Sequence, residues 1–224
     1  DVVASRHRAA GTRIVAGAGA AALEPGADGL TIALSTGERL VADLVVAGIG
    51  AVPETTLGRA AGLAIDNGIA VDATLATSDP DILAAGDCCS FPHPLYGGRR
   101  IRLESWRNAL DQAALAARNL LGAGEAVSAV PWFWSDQHDL TLQIAGLPDE
   151  GHAAVRRDLD DATFLLFHLA ADGRLVAASG IGPGNAVAKE IRLAEMLIAA
   201  RAMPDPALLA SPSARPKALL PGRS

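Results

Sequence analysis

Several kinds of residue and motif are scarce in this chain. Of its 224 residues only two are cysteines, Cys88 and Cys89, and they are neighbours. One peptide step holds their Cα atoms closer together than a disulfide ordinarily spans. No C-x-x-C occurs, so neither a redox-active dithiol nor a zinc site is readable. The preferred reading of both thiols is small buried apolar side chains, and so few cysteines fit a reducing, cytoplasmic setting. No signal peptide is recognised, and Asp1, which is not a natural start, leaves the upstream sequence open. The five histidines (His7, His93, His138, His152, His168) lack ligand spacing, so no metal site is expected. Ser105 and Ser135 lack the histidine–aspartate pattern of an activated nucleophile. Basic excess is missing too. A net charge of -6 argues against nucleic-acid binding. No run of about 18 apolar residues spans a membrane, and no G-x-G-x-x-G follows a strand. What remains is 50% hydrophobic and 20% charged, enough to bury a core. The length suits one large domain or two small ones.

Turn signals organise the first half. Val2 to Arg8 predicts the end of a helix stopped at Gly11. Arg13 to Leu23 is strand-like, Pro25 to Gly29 a turn cluster, and Leu30 to Ser35 a strand. Thr36-Gly37-Glu38 is a second turn and Arg39 to Val41 the returning strand of a β-meander. Leu44 to Ala47 is continuously apolar and ends in Gly48-Ile49-Gly50, which predicts a strand covered on both faces. Glu54 to Ala61 predicts a short helix, Gly68 to Val71 a short strand, and Trp106 to Leu121 a helix stopped by Gly122.

After Gly122-Ala123-Gly124 strands are expected at Leu142 to Leu147, His152 to Asp158, Thr163 to Ala170 and Leu175 to Gly180. Asp172-Gly173 marks a hairpin turn. Gly180-Ile181-Gly182-Pro183-Gly184 departs from the phosphate-loop pattern and predicts a turn. A helix follows from Asn185, its expected N-cap, to Ala200. Strands followed by a helix predict an α+β domain. The tail from Pro204 is rich in Pro, Ala and Ser and is expected to be loosely ordered at its end. No internal repeat is visible.

The chemistry concentrates in Thr77 to Asp87, T-S-D-P-D-I-L-A-A-G-D. It predicts a turn, a short buried strand over Asp81 to Ala85, then a glycine and an acid at the strand's C-terminal end. Open α/β sheets bind ligands at that end. Gly86 has no side chain to obstruct a ligand, and Asp87 can accept a hydrogen bond from a sugar-type hydroxyl. An aspartate that only caps the next turn would leave the same trace.

Neighbouring segments carry a resemblance. Arg102 to Ala113 reads R-x-E-S-W-x-N-A-x-x-Q-A, Pro131 to Gln137 reads P-W-F-W-S-D-Q, and Gly48 to Pro53 reads G-I-G-x-x-P. With Thr77 to Asp87 as the second FAD-binding motif, and His7-Arg8 and Gly11 at the start, the chain resembles the two-dinucleotide-binding-domain flavoprotein reductases. These form the pyridine nucleotide–disulfide oxidoreductase family, and the likeness is to its ferredoxin reductase branch (putidaredoxin reductase and biphenyl dioxygenase reductase type). The matches cover nearly the whole chain in the expected order, and P-W-F-W-S-D-Q is the most specific of them.

The resemblance implies an α/β remnant of FAD/NAD(P)-binding Rossmann-like domains followed by an α+β C-terminal reductase domain. Residues 1–47 would be the second half of an NAD(P)-binding domain and 48–126 the C-terminal part of an FAD-binding domain. Residues 127–210 would be the α+β domain and 211–224 a loose tail. The implied cofactors are FAD and NAD(P)H. The implied function is electron transfer from NAD(P)H through FAD to a 2Fe–2S ferredoxin of an oxygenase or P450 system. The cofactor carries that chemistry, so no catalytic side chain is nominated. Asp87, with Gly86, would meet the FAD ribityl or pyrophosphate region. Trp106 and its helix start would lie near the pyrimidine edge of the isoalloxazine. Trp134 would pack on the flavin ring, Glu104 would lie near the nicotinamide, and Gly50 would mark re-entry into the FAD domain.

Other readings stay open. The three tryptophans can fill a core, and for Trp132 that is preferred. Glu104 can pair with Arg100 or Arg102. Arg99, Arg100, Arg102 and Arg107 form either a solvated face or a patch that docks an acidic ferredoxin. The family's two glycine fingerprints are missing here, so half of a doubly wound sheet would leave an apolar edge unpaired and the chain alone is expected to bind FAD poorly. An NADH oxidase or apoptosis-inducing-factor-like flavoprotein, and a non-catalytic dimerisation or interaction module, are the competing functions. NADH versus NADPH, and monomer versus homodimer, are left open.

Overall fold

The computed structural model describes residues 2–26 and 29–213. Packing divides the chain into two compact units that meet in sequence at Val52 and Pro53.

The first unit opens with helix α1 (Val2–Ala9), whose last turn holds the basic residues Arg6, His7 and Arg8, and positive charge suits a helix C-terminus. An antiparallel meander follows, β1 (Ala20–Gly26), β2 (Gly29–Leu34) and β3 (Arg39–Ala42), as the turn residues predict. No described residue of this unit is buried. The run Leu44 to Ala47 departs from expectation. It forms no strand, and Val46 is 85% exposed. A strand covered on both faces needs flanking strands, and the described residues of this unit supply none.

The second unit begins with α2 (Thr56–Ala60) and a three-stranded sheet of β4 (Ile69–Ala70), β5 (Cys89–His93) and β6 (Arg99–Ile101). β4 runs parallel to β5, and β6 antiparallel to it. The stretch Asp81 to Ala85 is not the expected strand. Thr77 and Ile82 close a turn through the Thr77 N–H to the Ile82 carbonyl, and only Leu83 bridges, to Ala76. Helix α3 (Trp106–Leu120) has Ser105 as N-cap, its Oγ accepting from the Asn108 N–H at 3.2 Å. Val71, Leu75, Cys89, Phe91, Ile101, Leu115 and Val127 close a core around this sheet and helix.

A five-stranded antiparallel sheet completes the unit: β7 (Trp132–Gln137), β8 (Leu140–Gly146), β9 (Ala153–Asp158), β10 (Phe164–Leu169) and β11 (Leu175–Pro183), in the order β7-β8-β11-β10-β9. Helix α4 (Ala188–Ala199) covers one face. Ile191, Ala194, Leu197 and Ile198 meet Ala145, Leu165, Phe167 and Ala178 in a second core. A short α5 (Pro206–Ala210) follows, ahead of the tail expected to be loose, of which residues 214–224 lie outside the described residues.

Two local expectations are corrected. Gly180 to Pro183 continues β11 instead of turning. A Cβ at Gly182 would meet Thr163 Cγ2 at 2.7 Å, and one at Gly180 would meet Val187 Cβ at 3.0 Å, so these glycines admit neighbours. Asn185 does not cap the helix, since the turn through Pro183 and Ala186 delays its start and the cap position falls on Val187.

Candidate functional site

The glycine and acid read from the sequence form a tight helical turn, Gly86–Cys88, between the Thr77–Ile82 turn and β5. Gly86 has φ +80°, which side chains rarely adopt, and a Cβ there would lie 3.4 Å from Ala109 Cβ on α3. The turn is held from both sides. The buried Gln112 carboxamide oxygen accepts the Gly86 N–H at 2.7 Å. Arg102 donates to the Asp87 carbonyl at 3.3 Å and to the Glu104 carboxylate at 2.6 Å. The Asp87 side chain is left exposed, at the level of the first turns of α3.

Trp106 opens α3 and is 68% exposed. Trp134, on β7, stands edge-on to it with ring centroids 6.3 Å apart, and is itself 38% exposed. Trp132 stacks obliquely on Trp134 at 5.4 Å, packs against the second core and carries the Arg107 guanidinium over its ring. Ser105 Oγ donates to the Trp132 carbonyl at 3.3 Å, which ties the helix start to the strand start. Gly86, Asp87, Glu104, Trp106 and Trp134 are thus brought to one region by α3 and its neighbours. Gly50 belongs to the first unit, at φ +95°.

Glu104 pairs with Arg102 and lines a groove of ≈ 210 Å³ with Leu103, Ser105, Pro131, Trp132 and Phe133. The arginine cluster is not a free basic patch. Arg99 pairs with Asp149 and Glu150, and Arg100 donates to the Val71 and Ser90 carbonyls and faces Asp66. Arg107 pairs with Glu195 and Asp111. Each of the four arginines has a carboxylate within 3.6 Å, which weakens the local positive field.

Cys89 is buried, and desolvation together with the neighbouring Cys88 pushes its thiol up to about 12. It stays protonated and donates to the Gln112 oxygen at 3.2 Å. Both cysteines are free thiols. Among the described residues no group of three or more His, Cys, Asp or Glu is placed to hold a metal ion, and no helix is long and apolar enough to cross a membrane. Ser105 and Gln112 are structural members of the site to which the sequence assigned no role. The carbonyl that Ser105 reaches and the N–H that Gln112 accepts lie 27 and 26 residues away, beyond any local pattern.

Residues 1–113 match the family model for pyridine nucleotide-disulphide oxidoreductases, and residues 132–220 the reductase C-terminal model. The chain belongs to the pyridine nucleotide-disulphide oxidoreductase family. It is 48% identical over 180 residues to the ferredoxin–NAD(+) reductase component of the anthranilate 1,2-dioxygenase system of Burkholderia cepacia, a match covering 80% of this chain and 43% of that protein. Putidaredoxin reductase of Pseudomonas putida is 43% identical over 171 residues, covering 74% of this chain and 40% of that one. Among solved structures, a ferredoxin reductase from Rhodopseudomonas palustris superposes with TM-score 0.89 at 34% identity, over 98% of this chain and 54% of its own. The covalent putidaredoxin reductase–putidaredoxin complex gives 0.87 at 35% identity, over 97% and 53%. The chain therefore spans about half the length of these reductases, or less.

The residues present fit one side of a flavin dinucleotide. The exposed Asp87 stands next to the buried Gly86. A 15-residue helix begins beside an exposed indole pair. The Gln112 Nε2 is buried without a partner among the described residues.

Proposed function

We propose that this chain serves in a flavoprotein reductase that passes electrons from NAD(P)H through FAD to a ferredoxin-type iron–sulfur protein. The observation that carries the reading is the meeting of the Gly86–Asp87 turn, the start of α3 and the Trp106–Trp134 pair. The names of the similar reductases support the acceptor. In this reading residues 1–47 belong to an NAD(P)-binding domain and 48–126 to an FAD-binding domain, and the C-terminal domain contributes Trp134.

A bound FAD would supply hydride acceptance from the nicotinamide and one-electron release to the acceptor. The chain's own residues bind and orient it. Asp87, exposed and acceptor-only when ionised, takes hydroxyl hydrogen bonds from the ribityl chain. The first N–H groups of α3 have no acceptor within the helix, and with the helix dipole they favour negative charge placed beside them. Trp106 and Trp134 exclude water from that edge, and Glu104, tethered by Arg102, borders the neighbouring groove. No side chain need move a proton.

The test is Asp87→Ala in the full-length reductase containing this chain. Loss of a hydrogen bond to a charged acceptor should weaken FAD binding about 10- to 100-fold, read by flavin absorbance and titration. Unchanged affinity would contradict the assignment. The isolated chain should retain no stoichiometric flavin. Ferredoxin-coupled cytochrome reduction should outpace oxygen consumption, and the reverse would favour the oxidase reading.

A further inference from the structure

Gln112 has no assigned role in the flavin reading, yet it is 2% exposed and accepts two hydrogen bonds beside the proposed flavin turn. Its orientation is fixed by its partners. Gly86 N–H and the Cys89 thiol both donate, so the carboxamide must present its oxygen to them, at 2.7 and 3.2 Å, and its nitrogen points elsewhere. Ala109 and Gln112 stand three residues apart on one face of α3, and Gly86 rests against Ala109 while its N–H is taken by Gln112. Gly86 holds φ +80°, a conformation that favours glycine. The Asp87 turn and the helix start are thereby joined through one side chain.

We propose that Gln112 is a positioning residue for the flavin site: its oxygen locks the Gly86–Asp87 turn onto α3, so that the Asp87 carboxylate and the helix N-terminus present themselves to FAD as one rigid unit. The proposal rests on the flavin reading above and goes beyond it, because Gln112 itself touches the turn and not the ligand. Acceptor character, not amide character, is the property required. The buried Nε2, unpartnered among the described residues, takes no part in holding the turn.

The experiment uses the full-length reductase with Gln112→Leu, Gln112→Glu, Asp87→Ala and the double variant Asp87→Ala/Gln112→Leu. Gln112→Leu removes the acceptor at nearly constant size, and FAD affinity should fall about tenfold or more. Gln112→Glu keeps an oxygen for Gly86 and Cys89 and should bind FAD within about threefold of the parent. The double variant should lose little beyond Asp87→Ala alone, because an unlocked turn matters only through the carboxylate it carries. A purely structural role would give additive losses. The proposal is overturned by unchanged affinity in Gln112→Leu, by additive losses, or by a folded Gln112→Glu protein that loses FAD tenfold. If Gln112→Leu fails to fold, Gln112→Glu decides alone. If Asp87→Ala leaves FAD affinity untouched, the flavin reading falls and this inference with it. If only Gln112→Leu is silent, the flavin reading stands and the positioning role fails.

Discussion

The meander β1–β3 and the five-stranded sheet β7–β11 are both antiparallel and both rich in aliphatic side chains. In β10, Leu165, Phe167 and Leu169 are buried, alternating with partly exposed residues. In β1 every residue is exposed, and in β2 all are half-buried. The difference lies in the second layer. Helix α4 covers one face of β7–β11, whereas no described residue of the first unit is buried against β1–β3. Turn residues and strand propensity suffice to form a ladder, but a core needs two layers.

The contrast can be broken or sharpened by substitution. The largest effect is expected at Arg157, 1% exposed, which pairs with Glu190 at 2.8 Å and donates to the Leu208 and Leu209 carbonyls at 3.1 and 2.6 Å. It clasps α5 to β9. Arg157→Ala strands Glu190 and two carbonyls, and should cost about 3–5 kcal/mol in urea unfolding followed by circular dichroism. A loss under about 1 kcal/mol would show that the clasp is dispensable. Gly182→Ala drives a methyl into Thr163 and should cost about 1–3 kcal/mol by the same measurement; a neutral result would mean that Thr163 yields.

Acid should act on the second unit through its buried imidazoles. Burial holds His93 and His168 below the ordinary 6.5, outweighing for His93 the bond to the Ala129 carbonyl. The unfolded chain therefore takes up protons first as pH drops, so the imidazole contribution to stability falls from about pH 6.5 downward and is constant above it. His93→Gln should shallow that slope, and an unchanged slope would assign it elsewhere. The smallest effect belongs to the meander. Arg39 and Glu24 pair at 2.5 Å with both side chains about half exposed, and Arg39→Ala should change stability by less than about 0.5 kcal/mol once solvent screening is allowed for. A cost near that of Arg157→Ala would erase the contrast.

What could be read in advance follows the same division. Helix α3 with its stop at Gly122, the hairpin at Asp172-Gly173 and most strands of the C-terminal sheet were legible, because period and turn chemistry are local. The pairing of Glu104 with Arg102 and the packing of Trp132 into the core were among the readings weighed. Leu44 to Ala47 misled because an apolar run states a need for partners without supplying them. Gly180 to Gly184 misled because glycines that make room for Thr163 and Val187 look like glycines that turn the chain. The four arginines were read as a solvated face or a docking patch, and the choice could not be made from sequence because their counter-charges, Asp149, Glu150 and Glu195 among them, lie far along the chain. The Gly86–Asp87 turn was visible, but the side chains that grip it were not.

All eight of the chain's Trp, Tyr and Phe residues lie from Phe91 onward, and the three indoles touch in series. Intrinsic emission therefore reports a single cluster on the second unit. A fluorescence melt would record the loosening of α3 against β7 and stay silent while the meander unravels. Only a backbone signal, such as amide exchange or far-ultraviolet dichroism, would see both events.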